Sequence, residues 1–110
     1  MSHDLQPQAA TVFAALGDAT RLALFSTLCD GQTRSASQLT HGTKLSRQGL
    51  RKHLTILEEA QIVTSERAGR EIQFTIRPDT LDEVRLYLDR ASQQWDDAVQ
   101  RLKLLVEDDE

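Results

Sequence analysis

The apolar positions change period along the chain, and each change marks a new element. Up to Ala60 they recur every three or four residues. Val12, Phe13 and Leu16 predict a short helix over residues 8–16, stopped by Gly17, with Asp18 placed to cap the next helix. Leu22, Leu24, Phe25, Leu28 and Cys29 hold one face of a second helix, which runs from Ala19 to the Asp30-Gly31 break. Ser35 and Gln38 have the spacing of a capping box ahead of Leu39, with Ser37 as a rival cap, so a short third helix is expected over roughly residues 37–41. Gly42-Thr43-Lys44 reads as a turn, and Ser46 as the N-cap of a fourth helix in which Leu50, Leu54 and Leu57 are spaced i, i+4, i+7. That stripe would be buried, leaving Arg47, Gln48, Arg51, Lys52, Thr55 and Glu58 around the outside.

After Ala60 the period falls to two. Ile62 begins a strand that runs to Arg67, and Ile72, Phe74 and Ile76 alternate with polar residues in a second. Gly69 supplies the positive φ of a tight hairpin, so a two-stranded ribbon with Arg67 and Arg70 at its tip is expected. Pro78 ends the ladder, and Asp79 or Thr80 can cap a final helix. There Leu81, Val84, Leu88, Ala91, Trp95, Val99, Leu102 and Val106 repeat at three- and four-residue steps, a coiled-coil-like stripe. About 27 residues of helix extend about 40 Å, too far for a small globule to cover, so a partner helix is the expected cover. The predicted fold is mainly α with a small β-hairpin (α+β). A single domain is expected over residues 1–110, with a core at about 8–78, a dimerisation helix at 79–107, and tails at 1–7 and 108–110.

Two short helices joined by a glycine-containing turn, the second carrying its donors outward, make a helix-turn-helix. Charge is divided accordingly. Residues 1–78 hold nine Lys/Arg and seven Asp/Glu, residues 79–110 hold four and ten, and the net charge of -4 is the sum of a slightly basic and a strongly acidic part. Nucleic acid responds to local basic surface, so the negative total does not exclude it as a partner. Gln48 and Arg51, one turn apart, suit base edges in a major groove, while Ser46, Lys52 and the helix amino terminus suit phosphates. His53 has two readings, DNA contact or a hydrogen bond within the fold.

The remaining chemistry is sparse. No paired carboxylates, P-loop or metal-ligand helix occurs, and neither Cys29 nor Ser46 has a base placed near it, so no catalytic residue, cofactor or metal is expected and the protein is read as not an enzyme. The single cysteine, Cys29, fits a reducing cytoplasm; it reads as a small buried hydrophobe or as a redox-responsive thiol. Residues 1–10 lack the pattern of a signal peptide, and no apolar run is long enough to insert in a membrane.

The stretches "LGDATRLALFSTL", "LSRQGLRKHLTILEEAQIV" and "RAGREIQFTI" resemble the second helix, recognition helix and wing of the ArsR/SmtB family of bacterial transcriptional repressors. The resemblance runs from about Phe13 to Val106. It implies a winged helix-turn-helix homodimer that binds double-stranded DNA at an inverted repeat and blocks transcription. Ser46, Arg47, Gln48, Arg51, Lys52 and His53 would lie on the DNA-facing helix, with Arg67 and Arg70 on the wing. Leu81, Val84, Leu88, Ala91, Trp95, Val99 and Leu102 would form the dimer seam. Well-known relatives bind metal through a cysteine pair on the recognition unit or Asp/His groups on the last helix. Residues 35–57 contain no cysteine and residues 79–110 no histidine, which points to the metal-independent branch and to an unidentified small-molecule or protein effector, if one exists. "QQWDDAVQRLKLLVE" is similar to the end of such members. Two positions depart from the family pattern: Gly49 stands where better helix formers are usual, which suggests a close approach to the preceding helix or to DNA, and Gln61 replaces a glycine common after "EEA". Loss of DNA binding, leaving a winged-helix protein-interaction module, is the rival reading.

Overall fold

The computed structural model describes residues 5–108, in five helices and a three-stranded antiparallel sheet. Helix α1 (Leu5–Leu16) and helix α2 (Ala19–Leu28) lead into strand β1 (Arg34–Ser35) and helix α3 (Ala36–Thr40). Helix α4 (Arg47–Glu59) follows, then the hairpin β2 (Val63–Ala68) and β3 (Glu71–Ile76), and finally helix α5 (Pro78–Asp108). The mainly α winged helix-turn-helix fold with a long last helix is therefore as expected. The first helix starts at Leu5 and the last runs to Asp108, so residues 5–7 and 108 are helical where tails were expected; residues 1–4 and 109–110 lie outside the described residues.

One apolar cluster joins the elements. Leu50, Leu54 and Leu57 of α4 are fully buried and meet Val12 and Ala15 of α1, Leu24 and Leu28 of α2, Leu39 of α3 and Phe74 and Ile76 of β3. At about 2 kcal/mol for each large side chain removed from water, this stripe fixes the rotation of α4 about its axis. Leu22 and Phe13, placed by periodicity on buried faces, are instead largely exposed, Phe13 with its ring 5.9 Å from Tyr87 of α5. Cys29 is also exposed, against the expectation of a buried hydrophobe; it falls just past the end of α2, where the helical face no longer points at the core. Partial desolvation, and then the Asp30 carboxylate, push its thiol pKa up.

The third strand was not foreseen. Two residues are too few for an alternation signal, yet Arg34 and Ser35 pair antiparallel with Phe74 and Gln73, on the free edge of β3. Arg34 is held there by a double contact with Asp30, at 2.6 and 2.9 Å, and by the Thr27 carbonyl oxygen at 2.9 Å. The Arg34 guanidinium, and then the Gln32 amide, lower the Asp30 carboxyl pKa to about 2. Ser35 also settles the start of α3. Its hydroxyl accepts from the Gln38 amide at 3.1 Å while its own amide donates to Gln38 Oε1 at 2.8 Å, a complete capping box, so Ser37 is not the cap and the helix begins one residue earlier than expected.

The exit from α4 carries local strain. Gln61 has φ of 61°, the left-handed region that favours glycine. It sits one past the Ala60 C-cap. Its amide donates to the Glu58 carbonyl at 2.9 Å, and the Ile62 amide to that of Leu57 at 3.0 Å, which is the Schellman pattern. Burial of both Leu57 and Ile62 closes the motif and holds glutamine in a glycine conformation. The Gln61 carbonyl then accepts from the buried Thr80 hydroxyl at 2.6 Å, tying α5 to this corner. Thr80 is thus a tether and not the α5 cap; Pro78 opens the helix, a position its fixed φ suits. Replacing Gln61 with glycine keeps the backbone bonds and relieves the left-handed strain, so Gln61→Gly should raise the unfolding free energy by about 1 kcal/mol in denaturant titration. An unchanged or lower value would contradict this account of the corner.

Candidate nucleic-acid interface

The turn between α3 and α4 is built from hydroxyls. Thr43 donates both its amide and its Oγ1 to the Thr40 carbonyl, at 3.0 and 3.1 Å, and the Leu45 amide donates to Thr43 Oγ1 at 3.4 Å. Ser46 then caps α4 in extended conformation, its Oγ accepting from the Gly49 amide at 3.1 Å. With Leu50, Leu54 and Leu57 inside, Arg47, Gln48, Arg51, Lys52 and Thr55 are all exposed.

These outward residues are not equivalent. Arg47 Nη2 donates to Ser37 Oγ at 2.8 Å, which clips the start of α4 to the first turn of α3. Among the described residues, the side chains of Gln48, Arg51, Lys52 and Arg70 have no hydrogen-bond or salt-bridge partner, so their donors are free to meet a ligand. Thr55 is spent on the Arg51 carbonyl at 2.9 Å.

The wing reaches the same face. Gly69 and Arg70 form a two-residue loop between paired Ala68 and Glu71, with φ of 66° at Gly69 and none positive at Arg70, the pattern of a type II′ turn. This turn brings Arg70 to a cleft of about 320 Å³ that Arg47 and Arg51 line from α4, with residues of α3 and β3, Ser37 and Glu71 among them, on its other walls. Ser65 Oγ donates to Glu58 Oε2 at 2.5 Å and so ties the hairpin to the end of α4. Arg67 instead folds back on the turn, its Nε 3.5 Å from the Gly69 carbonyl oxygen. The structure thus brings Arg47, Arg51 and Arg70 together and leaves Arg67 aside.

His53 points the other way. Its Nδ1 lies 3.2 Å from Arg21 Nη1 and 3.8 Å from the Asp18 carboxylate, and its side chain is only 23% exposed. Because Arg21 can only donate, the contact requires an unprotonated Nδ1. Arg21 Nε also donates to the Ala15 carbonyl, while Asp18 caps α2 by accepting the Arg21 amide at 3.0 Å. That amide, and then the Arg21 charge, hold the Asp18 carboxyl below its usual range. His53 is accordingly an internal tie between α4 and the α1–α2 corner, which corrects its place among the outward residues. The role of Arg21 escaped the sequence reading, since one arginine on a helix carries no periodic signal; its place three residues after the Asp18 cap was the available hint.

Gly49 lacks the close contact expected for it within the fold. A methyl group there would meet Ser46 Oγ at 3.4 Å and the Leu45 side chain at 3.8 Å, ordinary packing distances. The preceding helix therefore does not require glycine. Gly49→Ala should raise stability by about 0.5–1 kcal/mol, visible as a higher melting temperature; a lower one would mean that the local packing is tighter than these distances imply.

On α5 the expected seam divides in two. Leu81 and Val84 are partly buried against the protomer's own core, whereas Ala91 is exposed and Leu88, Trp95 and Leu102 are 50%, 70% and 62% exposed. Val99 is half-buried. Among the described residues, no group of three His, Cys, Asp or Glu is placed to hold a metal ion, and no helix is long and apolar enough to cross a membrane.

Comparison with known proteins bears on the fold and the family. The family model for a helix-turn-helix domain matches residues 16–66. Over 65 residues the chain is 35% identical to YuzN of Bacillus subtilis (strain 168), an uncharacterized HTH-type transcriptional regulator, covering 54% of this chain and 71% of that protein. The structure of an ArsR-like transcriptional regulator from Rhodococcus sp. RHA1 superposes with a TM-score of 0.76 at 34% identity, covering 91% of this chain and 93% of that one. HlyU from Vibrio cholerae N16961 shares the fold, with a TM-score of 0.67 at 20% identity over 79% of this chain and 94% of its own.

Proposed function

The chain belongs to the ArsR family of winged helix-turn-helix transcriptional regulators, and on that premise we propose that it is a cytoplasmic, homodimeric repressor that binds an inverted-repeat operator. The observation that carries the reading is the convergence of Arg47, Arg51 and Arg70 on one cleft, beside the free donors of Gln48 and Lys52. Helix α4 enters the major groove, where Gln48 meets adenine and Arg51 guanine edges. Ser46, Lys52 and the amide end of α4 take phosphates, and the wing arginines Arg67 and Arg70 follow the neighbouring backbone or minor groove. Arg47, already bonded to Ser37, contributes charge more than base reading. His53 is left out of the contact set because its accepting nitrogen is occupied inside the fold.

The uncovered face of α5 supports the same reading. Leu88, Trp95 and Leu102 form an exposed apolar stripe on a molecule 69 Å long but only 29 and 21 Å across, so the protomer leaves the far half of α5 uncovered. Pairing through α5 holds two α4 helices in successive major grooves, about 34 Å apart, and occupation of the site blocks polymerase. The acidic content of residues 79–110 repels DNA from this end and leaves the α4 face as the attractive one. No catalytic step is assigned to the chain.

Charge reversal at the cleft tests the proposal. In a gel-shift titration on the DNA upstream of its own gene, Arg51→Glu/Arg70→Glu protein should bind at least about tenfold more weakly than wild type, with a shallower dependence on salt, while its circular dichroism stays unchanged. Equal affinity would overturn the assignment of these residues to DNA.

A further inference from the structure

A second hollow lies away from the arginine cleft, between α2 and the turn that precedes α4. Its volume of about 570 Å³ falls within the range of about 300–1,000 Å³ common to small-molecule sites. Residue size accounts for it. Ala19 and Ala23 are exposed on this side of α2 and offer only methyl groups, which leaves space between the helix and residues 42–45. Leu24 and Leu39, both members of the buried core, and the half-buried Leu45 supply apolar walls.

The polar groups around this hollow select one kind of occupant. Among the described residues, no Asp or Glu lines it. Of its two cations, Arg34 is already matched by Asp30, at 2.6 and 2.9 Å. The exposed Lys44 ammonium has no hydrogen-bond or salt-bridge partner among the described residues. Neutral donors stand free beside it: the Thr20 and Thr27 hydroxyls have no partner there either, and the Gln38 capping box uses the side-chain oxygen and leaves the side-chain nitrogen over. Apolar walls with an unmatched cation and neutral donors at the rim suit an amphipathic monoanion, an aromatic or branched aliphatic carboxylate.

The position of the hollow links it to the DNA face. Its wall at residues 42–45 runs directly into Ser46, the cap of α4, and Lys44 stands two residues before that cap. We propose that the hollow between α2 and residues 42–45 binds a small apolar carboxylate through Lys44, and that its occupation weakens operator binding. The bound anion neutralises a lysine beside the phosphate-facing start of α4 and sets its apolar body against the turn, so the attraction for DNA at that end falls. The effect on DNA rests on the repressor reading above; binding of the carboxylate stands without it.

Calorimetric titration with 2-naphthoate tests the site, with neutral 2-naphthamide as the shape control. The wild type should take up one 2-naphthoate per chain with a dissociation constant of about 1 mM or below, and bind the amide more weakly. Lys44→Ala should weaken 2-naphthoate binding by about threefold or more. Ala23→Phe, which fills the hollow from an exposed helix position, should abolish binding while the melting temperature stays near that of the wild type. No binding to the wild type, or undiminished binding to Ala23→Phe protein, would overturn the site. Equal affinity for acid and amide, or for wild type and Lys44→Ala protein, would overturn the choice of an anion. In a gel shift on the DNA upstream of its own gene, saturating 2-naphthoate should lower wild-type affinity by about threefold or more and leave Ala23→Phe protein unaffected. Carboxylate binding with unchanged DNA affinity would overturn the coupling, whereas carboxylate binding by a protein that does not bind DNA even without ligand would overturn the repressor reading instead.

Discussion

Burial of one leucine stripe governs what this protein presents to its surroundings. With Leu50, Leu54 and Leu57 at zero exposure, α4 has a single permitted rotation, and the donors of Gln48, Arg51 and Lys52 must then face outward. The other ties serve that orientation. Ser46 fixes where α4 begins, the Arg47–Ser37 bond sets it against α3, the His53–Arg21 contact holds its middle to the α1–α2 corner, and the Gln61 corner turns the chain into the wing. A rotation of α4 by even one position would bury an arginine unpaired or expose a leucine, at a penalty of several kcal/mol.

Much of this was legible in the sequence because it depends on period. The helices, the hairpin with its Gly69 turn and the long last helix each carry several residues in phase, and in-phase residues announce a face. Features resting on one or two residues were not legible. Strand β1 has only Arg34 and Ser35, and what recruits it is the free edge of β3, a partner distant in sequence. His53 and Arg47 both lie on the polar face of one helix, and sequence alone does not tell that each finds an internal partner; three-dimensional neighbours, Arg21 and Ser37, decide it. Cys29 shows the converse error, since its periodic position implied burial but the helix ends before it.

The two departures from the family pattern have different physical meanings. Gln61 adopts the conformation that glycine would have taken, so the fold overrides the residue and tolerates strain at a corner fixed by Leu57, Ile62 and the Thr80 hydroxyl. Gly49 occupies a site that a larger residue could fill, so the fold does not explain it. It lies between Gln48 and Arg51 near the start of α4, where the absence of a side chain leaves the helix backbone open to close approach.

The central claim is that two copies of this face act together on one DNA site, and protection mapping addresses it most directly. Hydroxyl-radical footprinting of the wild-type protein on the DNA upstream of its own gene should reveal two protected half-sites of inverted sequence, with centres about 34 Å apart, one helical turn. A single protected patch without two-fold symmetry, or uniform weak protection along the fragment, would contradict the account.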